Sequence, residues 1–338
     1  MPMPARNLVT LLTMPNLRAR MQLMSDSKAL VRLYFLSSTQ RAGILEALDG
    51  KPASADHLVV SLGVERPELL GALLRLGVFL KELSFEHGRY RVVGARSRAF
   101  LGEGGDGLAA IVEEITTYYG AAFEGLPATL KGGPLGDYLE STAGLVARSS
   151  RILEPFLKEF VNHVVDADRP MRLLEIGCGS GIYLRHAAER NTRLTGVAVD
   201  LREDVVRTAS ANLAAWGVAS RFRVIATDIR TPPPDFGAPF DLVTLYNNIY
   251  YFDPTEWAGL FRQIRGWLAP RGALALVSMM GGDTLGALEF DIACHCTKGL
   301  APLPRLNNLM ATLRVSGFDR IESTKLVSGE SVYGIVAR

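Results

Sequence analysis

Apolar positions in the first hundred residues recur at the spacing of buried helix faces, and two short strand-like runs follow them. The segment 28–50 has apolar residues three and four positions apart and ends at Gly50, a residue that commonly terminates helices. Ser54 suits the N-cap of a second helix, and Pro67 suits the first turn of a third. The runs "LSFE" and "RYRVV", separated by "HG", predict a β-hairpin. Residues 1–105 are therefore predicted to form a mostly helical domain with one hairpin.

The next stretch, residues 106–165, has a helical pattern that two segments rich in glycine and proline interrupt. These segments are "GLP" and "KGGPLGDY", and both predict helix breaks. Arg148, Arg151 and Lys158 recur at spacings that place them on one helix face. That face is either a solvated basic surface or a wall of a substrate pocket. The stretch is predicted to consist of connecting helices.

From residue 172 the pattern changes to short apolar runs that alternate with helical segments. The runs cover 172–176, 193–200, 221–228, 240–245 and 273–279, and each is long enough for one strand. A helical segment and two further strand-like runs close the chain. Strands that alternate with helices indicate a parallel sheet covered on both faces. Residues 166–338 are therefore predicted to form an α/β, Rossmann-like domain whose seven-stranded sheet ends in an antiparallel hairpin.

The composition is that of an ordinary globular chain, and it excludes several classes of protein. Of the 338 residues, 48% are hydrophobic and 21% are charged, with a formal net charge of +2. This balance gives no reason to expect nucleic acid or an anionic membrane as a partner. No apolar run reaches the ~20 residues of a membrane span, and the N-terminus lacks the pattern of a secretory leader. Three cysteines make no disulfide framework, so a cytoplasmic location is expected.

The strongest motif is the stretch "RLLEIGCGSGIYL", in which a short strand runs into a glycine-rich turn and then a helix. Gly177, Gly179 and Gly181 allow the backbone to turn tightly and to approach a ligand. The dinucleotide-binding pattern requires glycine where this chain has Ile182. Glu175, just before the glycines, would repel a pyrophosphate but would tolerate a ligand that carries an ammonium group. The turn is therefore predicted to bind a ligand other than a dinucleotide.

Acidic residues end the next two predicted strands. Asp200 follows Gly177 by 23 residues, and a carboxylate at the tip of the second strand can accept both hydrogen bonds from a ribose 2′,3′-diol. Asp228 ends the third strand and is placed to accept a hydrogen bond from an adenine amino group. Ligands of open α/β sheets lie outside the carboxyl ends of the strands, so these acids and the glycine turn are expected to form one site.

These features together resemble the class I S-adenosylmethionine-dependent methyltransferases, over about residues 170–338. The resemblance implies that the three glycines flank the methionine part of the cofactor and that Glu175 supports its amino group. It also implies that Asp200 holds the ribose and that neighbouring residues frame the adenine, with S-adenosylhomocysteine as the product. The implied cofactor-binding residues are Glu175, Gly177, Gly179, Gly181, Asp200, Leu201, Asp228, Ile229, Tyr246 and Asn247.

The whole chain resembles one branch of that class, the small-molecule O-methyltransferases of plant and bacterial natural-product pathways. The order of three helices and a hairpin in residues 1–105 resembles a winged helix, which in that branch mediates dimerisation and contributes a wall to the partner's active site. A homodimer is therefore expected, with the Met/Leu stripe of residues 14–24 against the partner; the other interpretation is a frayed terminus. DNA is the competing partner of a winged helix, but the leucine-rich third helix is better suited to burial.

The stretch "YNNIYYF", residues 246–252, follows the fourth strand and is predicted to face the cofactor and the methyl acceptor. Many enzymes of the O-methyltransferase branch have a basic histidine in the motif "HDW", and Tyr250 stands at its position here. A tyrosine with an ordinary pKa near ~10 is a poor base at neutral pH. Three interpretations remain: an acceptor that needs no base, a base from elsewhere such as His295, or a Tyr250 that orients the acceptor while water takes the proton. Asn247 and Asn248 can donate hydrogen bonds to an acceptor oxygen or to the cofactor carboxylate, but neither can abstract a proton.

The remaining site residues lie on segments expected to surround the acceptor. The predicted catalytic residues are Tyr250, His295 and Asn247, and the predicted substrate-binding residues are Tyr118, Tyr119, Asn248, Tyr251, Met279 and His295. The stretch "CHC" at 294–296 either lines the pocket or packs in the core, and no metal is predicted because three adjacent residues cannot converge on one ion.

The predicted function is methyl transfer from S-adenosylmethionine to a small, largely apolar metabolite, with oxygen as the expected acceptor atom. Two alternatives remain. The first is C- or N-methylation on the same fold. The second is a non-catalytic winged-helix regulatory protein that retains the cofactor site.

Overall fold

A computed structural model of the chain describes residues 7, 10, 12–231 and 235–338. The chain divides between Thr117 and Tyr118 into two compact units, each of which is described by itself. The absence of a secretory leader was predicted from the first residues of the chain. Much of that stretch lies outside the described residues. Within the described residues, no helix combines the length and the apolar character needed to cross a bilayer.

The first unit contains helices and one two-stranded hairpin. Its elements are α1 (Leu17–Arg41), α2 (Ile44–Ala47), α3 (Ala55–Ser61), α4 (Pro67–Phe79), β1 (Leu83–Glu86), β2 (Arg89–Val92), α5 (Ala95–Leu101) and α6 (Gly105–Glu114). Ser54 caps α3, because its hydroxyl accepts from the His57 N–H over 3.2 Å. Pro67 occupies the first turn of α4, and β1 pairs antiparallel with β2. The predicted hairpin and the two predicted helices that begin near Ser54 and Pro67 are thus present. The predicted single helix over 28–50 is wrong, because α1 ends at Arg41 and α2 begins at Ile44, after Gly43 with φ +70°. The likeness to a winged helix stays a prediction.

The apolar residues of the first unit divide between a buried core and an exposed helix. Phe35, Leu45, Leu58 and Leu74 are among the buried side chains of the core. The first half of α1 is exposed throughout residues 21–30, although it carries several large apolar side chains. The expectation that α4 is buried along all its leucines is wrong for Leu69, which lies on the outward side of the helix and is 63% exposed.

The second unit begins within a short π-helical turn, Ile115–Tyr119, and contains helices on both faces of a seven-stranded sheet. Its helices are α7 (Gly120–Thr129), α8 (Leu139–Ser149), α9 (Glu154–Val164), α10 (Ile182–Arg190), α11 (Glu203–Ala215), α12 (Trp257–Trp267), α13 (Leu285–Cys296) and α14 (Leu306–Val315). Its strands are β3 (Arg172–Ile176), β4 (Thr195–Asp200), β5 (Phe222–Ala226), β6 (Phe240–Tyr246), β7 (Leu268–Met279), β8 (Ile321–Lys325) and β9 (Val332–Ala337).

The sheet has the order β5-β4-β3-β6-β7-β9-β8. The pairings from β5 to β7 are parallel, and those of β9 with β7 and β8 are antiparallel, which confirms the predicted terminal hairpin. Alternate side chains of each strand enter two separate cores. Leu173 and Leu242 pack with α9, α10 and α11 on one face, whereas Leu174 and Val243 pack with α12 and α14 on the other. The parallel strands therefore end at one edge of the sheet, where the predicted site lies.

Two predicted element boundaries in the second unit are wrong. The "GLP" segment does not break a helix, because Pro127 lies inside α7. This proline is close to the C-terminal end of α7, which packs against α13, and tertiary packing outweighs its poor helix propensity. The helix α12 ends at Trp267, and β7 begins at Leu268, five residues before the predicted run 273–279. On α9, Lys158 is exposed and lies 3.7 Å from Glu189, which favours the solvated interpretation for this lysine.

Candidate functional site

The glycine-rich turn between β3 and α10 is held against β4 by its own backbone. The N–H groups of Gly177 and Cys178 both donate to the Val199 carbonyl, over 2.8 and 3.0 Å. All three glycines of the turn have positive φ angles, from +52° to +80°, a region that residues with a side chain rarely adopt. A Cβ atom at position 177 would also lie 2.3 Å from Nδ2 of Asn248. Gly177 is therefore required both by its backbone angle and by the close approach of a neighbouring side chain.

Asp200 lies at the end of β4 and faces the glycine-rich turn. Its Oδ2 accepts from the N–H of Gly179 over 3.1 Å, and its Oδ1 accepts from the N–H of Arg202 over 3.2 Å. Each carboxylate oxygen can accept a second hydrogen bond, so Asp200 keeps acceptor capacity for a ligand. The next residue, Leu201, is exposed beside it. These positions are compatible with a polar, hydroxyl-bearing ligand group next to an apolar one.

Asp228 lies two residues beyond the end of β5 and is held by an arginine. The guanidinium of Arg230 donates to both carboxylate oxygens over 2.9–3.2 Å. This pairing is the main reason why the pKa of Asp228 is lower than its ordinary value. Ile229 is buried, and its carbonyl accepts from Nε2 of Gln263 over 3.0 Å. Asp228 is therefore an ionised acceptor in a fixed position at the edge of the site.

Glu175 differs from the other acids because its carboxyl group is buried and has no hydrogen-bond partner among the described residues. The residue is only 2% exposed. Burial, and then the negative charge of Asp200, raise the pKa of Glu175 to about 8. A buried carboxylate without a partner is unfavourable, and it takes up a proton unless a cation is placed beside it. The geometry at Glu175 therefore suits a ligand group that is positively charged.

Two tyrosines share with Glu175 a narrow cavity, between the sheet and helices α9 and α10, that has no room for a water molecule. The polar residues that line this cavity are Glu175, Tyr183, Thr244 and Tyr246. The hydroxyl of Tyr246 is buried, and no described group hydrogen-bonds to it. Burial and then the Glu175 carboxylate raise the pKa of Tyr246 and of Tyr183 well above the ordinary value. Both hydroxyls therefore remain neutral, and the Tyr246 hydroxyl can still donate one hydrogen bond.

The residues after β6 are fixed by hydrogen bonds to the neighbouring strands. Asn247 has a left-handed backbone with φ +54°, and its N–H donates to the Val277 carbonyl over 2.7 Å. The side-chain Nδ2 of Asn248 donates to the Ile176 carbonyl over 2.6 Å, whereas its buried Oδ1 has no partner among the described residues. The amide of Asn248 thus ties the end of β6 to the end of β3, and its oxygen and the second hydrogen of Nδ2 are left for a ligand.

Tyr246 and Tyr250 lie on opposite faces of the sheet. Tyr246 belongs to the core beneath α9 and α10, and Tyr250 belongs to the core on the other face. The Tyr250 ring meets the Phe290 ring of α13 edge-on at 5.0 Å, and the ring of the exposed Tyr251 lies 5.1 Å away. Met279, at the end of β7, is half-buried against both cores. The predicted acceptor region therefore has an aromatic wall formed by α13 and the segment after β6.

His295 lies in the last turn of α13, and its side chain is exposed, whereas Cys294 and Cys296 are buried. Successive positions on a helix point about 100° apart, so these three side chains do not face one site. The placement gives no support to His295 as a base beside Tyr250, and that role stays an untested prediction. The described residues contain no group of three or more His, Cys, Asp or Glu side chains that could hold a metal ion.

Tyr118 and Tyr119 belong to the π-helical turn, and Tyr118 is bonded to the segment after α13. The Tyr118 hydroxyl lies 2.8 Å from Oγ1 of Thr297, which itself donates to the Ala293 carbonyl over 2.7 Å. Because the hydroxyl hydrogen of Thr297 is used in this way, Tyr118 is the donor in the first contact. The rings of Tyr119 and Tyr138 lie 5.3 and 5.6 Å from that of Tyr118. These tyrosines form an aromatic cluster at the C-terminal end of α13.

Comparison with known proteins agrees with this geometry. Residues 173–272 match a family model described as "Methyltransferase domain". The match runs from β3 to the fifth residue of β7. This part of the chain is therefore similar to a methyltransferase domain. This domain includes the glycine-rich turn, both strand-tip aspartates and the segment after β6. The methyltransferase fold predicted from the sequence is thereby confirmed.

Curated relatives of the domain methylate different substrates. The chain is 30% identical over 198 residues to a release factor glutamine methyltransferase of Nitratidesulfovibrio vulgaris, covering 59% of this chain and 57% of the relative. It is 29% identical over 125 residues to a tRNA1(Val) (adenine(37)-N6)-methyltransferase of Parabacteroides distasonis, covering 32% of this chain and 52% of the relative. The chain thus spans about half the length of the curated relatives it matches.

Solved structures resemble almost the whole chain. The mitomycin 7-O-methyltransferase MmcR superimposes with a TM-score of 0.79 at 17% identity, covering 95% of this chain and 98% of that one. The N,N-8-amino-8-demethyl-D-riboflavin dimethyltransferase RosA from Streptomyces davawensis gives a TM-score of 0.69 at 20% identity, covering 95% and 99%. At these identities the likeness establishes the fold of the chain and leaves the acceptor to be inferred from the site.

The protonation of Glu175 predicts a measurable effect of pH on stability. The pKa of Glu175 is raised by folding, so its contribution to stability is fully present below its unfolded value near ~4.5 and is lost as pH rises through about 8. Between pH 5 and pH 8 the parent protein should therefore lose on the order of 3 kcal/mol of unfolding free energy relative to Glu175→Gln. Urea denaturation of both proteins at pH 5, 6.5 and 8 measures this difference. Stability curves that stay parallel across this range would show that the buried carboxyl does not titrate as stated.

Proposed function

We propose that the protein is an S-adenosylmethionine-dependent methyltransferase that acts on a small, largely apolar metabolite, with oxygen as the leading acceptor atom. The observation that carries this proposal is the buried carboxyl group of Glu175, to which no described residue is hydrogen-bonded and which lies at the edge of a glycine-rich turn. An ammonium group is the ligand feature that would stabilise it. The methyltransferase domain at residues 173–272 supports the same assignment.

The residues of the site fit this cofactor in three respects. First, the turn between β3 and α10 has glycines with positive φ, so the backbone can approach a ligand without side chains in between. Second, Glu175 and the unpartnered hydroxyl of Tyr246 are suited to hold the amino end of the methionine part. Third, Asp200 would hold the ribose hydroxyls, and Leu201, Asp228 and Ile229 would surround the adenine. Asn247 would contribute an amide to the amino acid end.

When bound, S-adenosylmethionine supplies an electrophilic methyl group for an in-line displacement. The protein must hold the acceptor about 3 Å from that group and remove any proton that the acceptor carries. Tyr250 and Tyr251, with Phe290 behind Tyr250, would provide an aromatic surface for a flat, apolar acceptor. Asn248 would contact the acceptor through the second hydrogen of Nδ2 or through Oδ1, which has no other partner among the described residues. Met279, Tyr118 and Tyr119 would complete the wall.

The acceptor is proposed to need no base from the protein. His295 points to solvent at the end of α13, and the position of the usual histidine holds Tyr250. An acidic enol, a carboxylate or a weakly basic amine has a free lone pair at neutral pH, so it can attack without losing a proton to a side chain. The solved relatives include an enzyme named for O-methylation and another named as an amino dimethyltransferase, so both acceptor atoms occur on this fold. The burial of all three cysteines as free thiols supports a reducing, cytoplasmic location.

Asp200→Ala should weaken binding of S-adenosylhomocysteine about 10-fold to 100-fold, because two charge-assisted hydrogen bonds to the ribose would be lost. Isothermal titration calorimetry measures the change. Asp204→Ala is the matched control: Asp204 is a nearby exposed acid paired with Arg202, and its loss should alter the affinity less than twofold. An Asp200→Ala protein that is folded and keeps the parent affinity would contradict the proposed role of Asp200, at the end of β4, in holding the ribose.

His295→Ala should change the turnover rate by only a few-fold, because an exposed side chain on the last turn of α13 is not needed as a base. Tyr250→Phe should act mainly by raising the KM for the acceptor, since it keeps the ring and loses only the hydroxyl. Steady-state kinetics with an accepted substrate separate the two parameters. A loss of more than about 100-fold in kcat for His295→Ala, with unchanged cofactor affinity, would restore His295 as the base.

The protein is further proposed to form a homodimer through the first half of α1. Met21, Leu23 and Met24 are 65%, 68% and 75% exposed, and together they present more apolar surface than a solvated helix normally carries. A second copy of the same helix would cover this surface. The sequence also predicts that the Met/Leu stripe of residues 14–24 contacts a partner subunit.

Replacing Met21 and Met24 together by glutamate should convert the dimer to a monomer, because charges would be buried at the contact. Size-exclusion chromatography with light scattering reports the mass directly. Val60→Glu is the control, since Val60 is an 82% exposed apolar residue on α3 and should leave the dimer intact. A parent protein that is monomeric at working concentrations would end the dimer proposal without affecting the proposed chemistry.

A further inference from the structure

The segment that follows α13 directly, here called the α13 tail (residues 297–303), is hydrogen-bonded to parts of the second unit that surround the aromatic wall. Near its start, the Lys298 N–H donates to the Gly136 carbonyl over 2.9 Å. Further along, the Ala301 N–H donates to the Tyr250 carbonyl over 2.8 Å. The α13 tail therefore reaches from the end of α13 to the backbone of Tyr250.

A buried pair of hydroxyl groups fixes the first residue of the α13 tail. Thr297 is fully buried, and its hydroxyl donates to the Ala293 carbonyl of α13 over 2.7 Å. The same oxygen accepts from the Tyr118 hydroxyl over 2.8 Å, and Tyr118 is only 3% exposed. Because both side chains are buried, the loss of one hydroxyl deprives the other of a hydrogen bond that water does not readily replace. Tyr118 is thus bonded to the residue at which α13 ends.

Two routes connect Thr297 with Tyr250. The first is α13 itself, because Phe290 lies about two helical turns before Thr297 and its ring meets the Tyr250 ring edge-on at 5.0 Å. The second is the α13 tail, which is bonded to the Tyr250 carbonyl. Asp291 joins the two routes, since its Oδ1 accepts from the Leu303 N–H over 2.8 Å. A shift of Thr297 would therefore act on both the ring and the backbone of Tyr250.

We propose that Tyr118 is a positioning residue for the methyl acceptor: its hydroxyl fixes Thr297, and thereby the part of the aromatic wall that Tyr250 forms. The inference rests on the proposed function, because this wall belongs to the proposed acceptor site. Tyr118 lies in a π-helical turn, an element that is frequent at functional sites. Within the described part of the chain, the hydrogen bonds of the α13 tail do not lead to Glu175 or Asp200. The cofactor site should therefore not depend on Tyr118.

Binding of flat aromatic probes to the protein saturated with S-adenosylhomocysteine tests this link. The probes are 2-naphthol, 2-naphthoate and 2-naphthylamine, which carry a hydroxyl, carboxylate or amino group on the same apolar ring system, and their fluorescence reports binding. Tyr118→Phe should weaken the binding of the probe that the parent protein prefers about three-fold to ten-fold, as expected for the loss of one hydrogen bond. The affinity for S-adenosylhomocysteine, measured by calorimetry, should stay within about twofold.

Changes at Thr297 distinguish positioning from direct contact with the acceptor. Thr297→Val removes the hydroxyl and should weaken probe binding as much as Tyr118→Phe does, whereas Thr297→Ser keeps the hydroxyl and should bind like the parent protein. If Tyr118 acts through Thr297, the double variant Tyr118→Phe/Thr297→Val should differ from either single variant by less than about twofold.

Tyr138→Phe is the matched control. The Tyr138 hydroxyl donates to the Ala121 carbonyl of α7 over 3.3 Å, and its ring lies 5.6 Å from the ring of Tyr118. This change removes a hydroxyl from the same aromatic cluster but spares the bond to Thr297, so the probe affinity should stay within about twofold of the parent value.

Amide hydrogen exchange adds a readout that needs no probe. In Tyr118→Phe, peptides that cover residues 297–303 should exchange faster than in the parent protein, and those that cover residues 172–184 should not. Unchanged exchange of residues 297–303 would contradict the inference.

Two further outcomes would overturn the inference while leaving the proposed function intact. One is a folded Tyr118→Phe protein with the parent's probe affinity, and the other is a double variant in which the two losses multiply. A parent protein that binds neither S-adenosylhomocysteine nor any of the three probes would instead refute the proposed function, and the inference with it. If Tyr118→Phe fails to fold, Thr297→Val removes the same hydrogen bond from the other side. Parent-like probe affinity of Thr297→Val would then overturn the inference.

Discussion

The hydrogen-bonded register of three parallel strands determines where every group of the candidate site lies. Glu175 of β3 is opposite Ala198 of β4 and Thr244 of β6, so the ends of these strands are level. The backbone bonds of the glycine-rich turn to Val199 continue this register beyond the strand itself. A shift of one residue would move Glu175 to the other face of the sheet, away from Tyr183 and the cavity. The glycine turn, the acids and the amides of the site therefore depend on one set of strand pairings.

The three acids of the site differ in how the protein compensates their charge. Asp228 has an arginine, and Asp200 has two backbone N–H groups, so both carboxylates are stabilised without a ligand. Glu175 has neither among the described residues, and burial dominates its protonation. A cationic ligand group would supply the missing compensation. The buried carboxyl group of Glu175 lowers the stability of the protein without ligand, and ligand binding would offset this loss. Such groups are common in functional sites.

Much of the second unit could be predicted from the sequence because each signal was local. The strand β3, the glycine turn and the positions of Asp200 and Asp228 follow from apolar runs and the residues that end them. The placements of Tyr183 and His295 could not be predicted in this way. Tyr183 packs against Tyr246, which lies 63 positions later in the chain. The exposure of His295 depends on how α13 is rotated about its own axis. Pro127 shows the same limit, since packing against α13 keeps it within a helix.

The division of Tyr246 and Tyr250 between the two faces of the sheet has an evolutionary consequence. Four residues apart in the chain, they pack with different helices, Tyr246 with Phe160 and Tyr183, and Tyr250 with Phe290. Substitutions around Phe290 can therefore reshape one pocket wall without disturbing the packing of Tyr246. Such modularity allows a lineage to diversify its acceptor while it conserves its methyl donor. The same separation makes α13 the natural segment to vary in a library that seeks new acceptors.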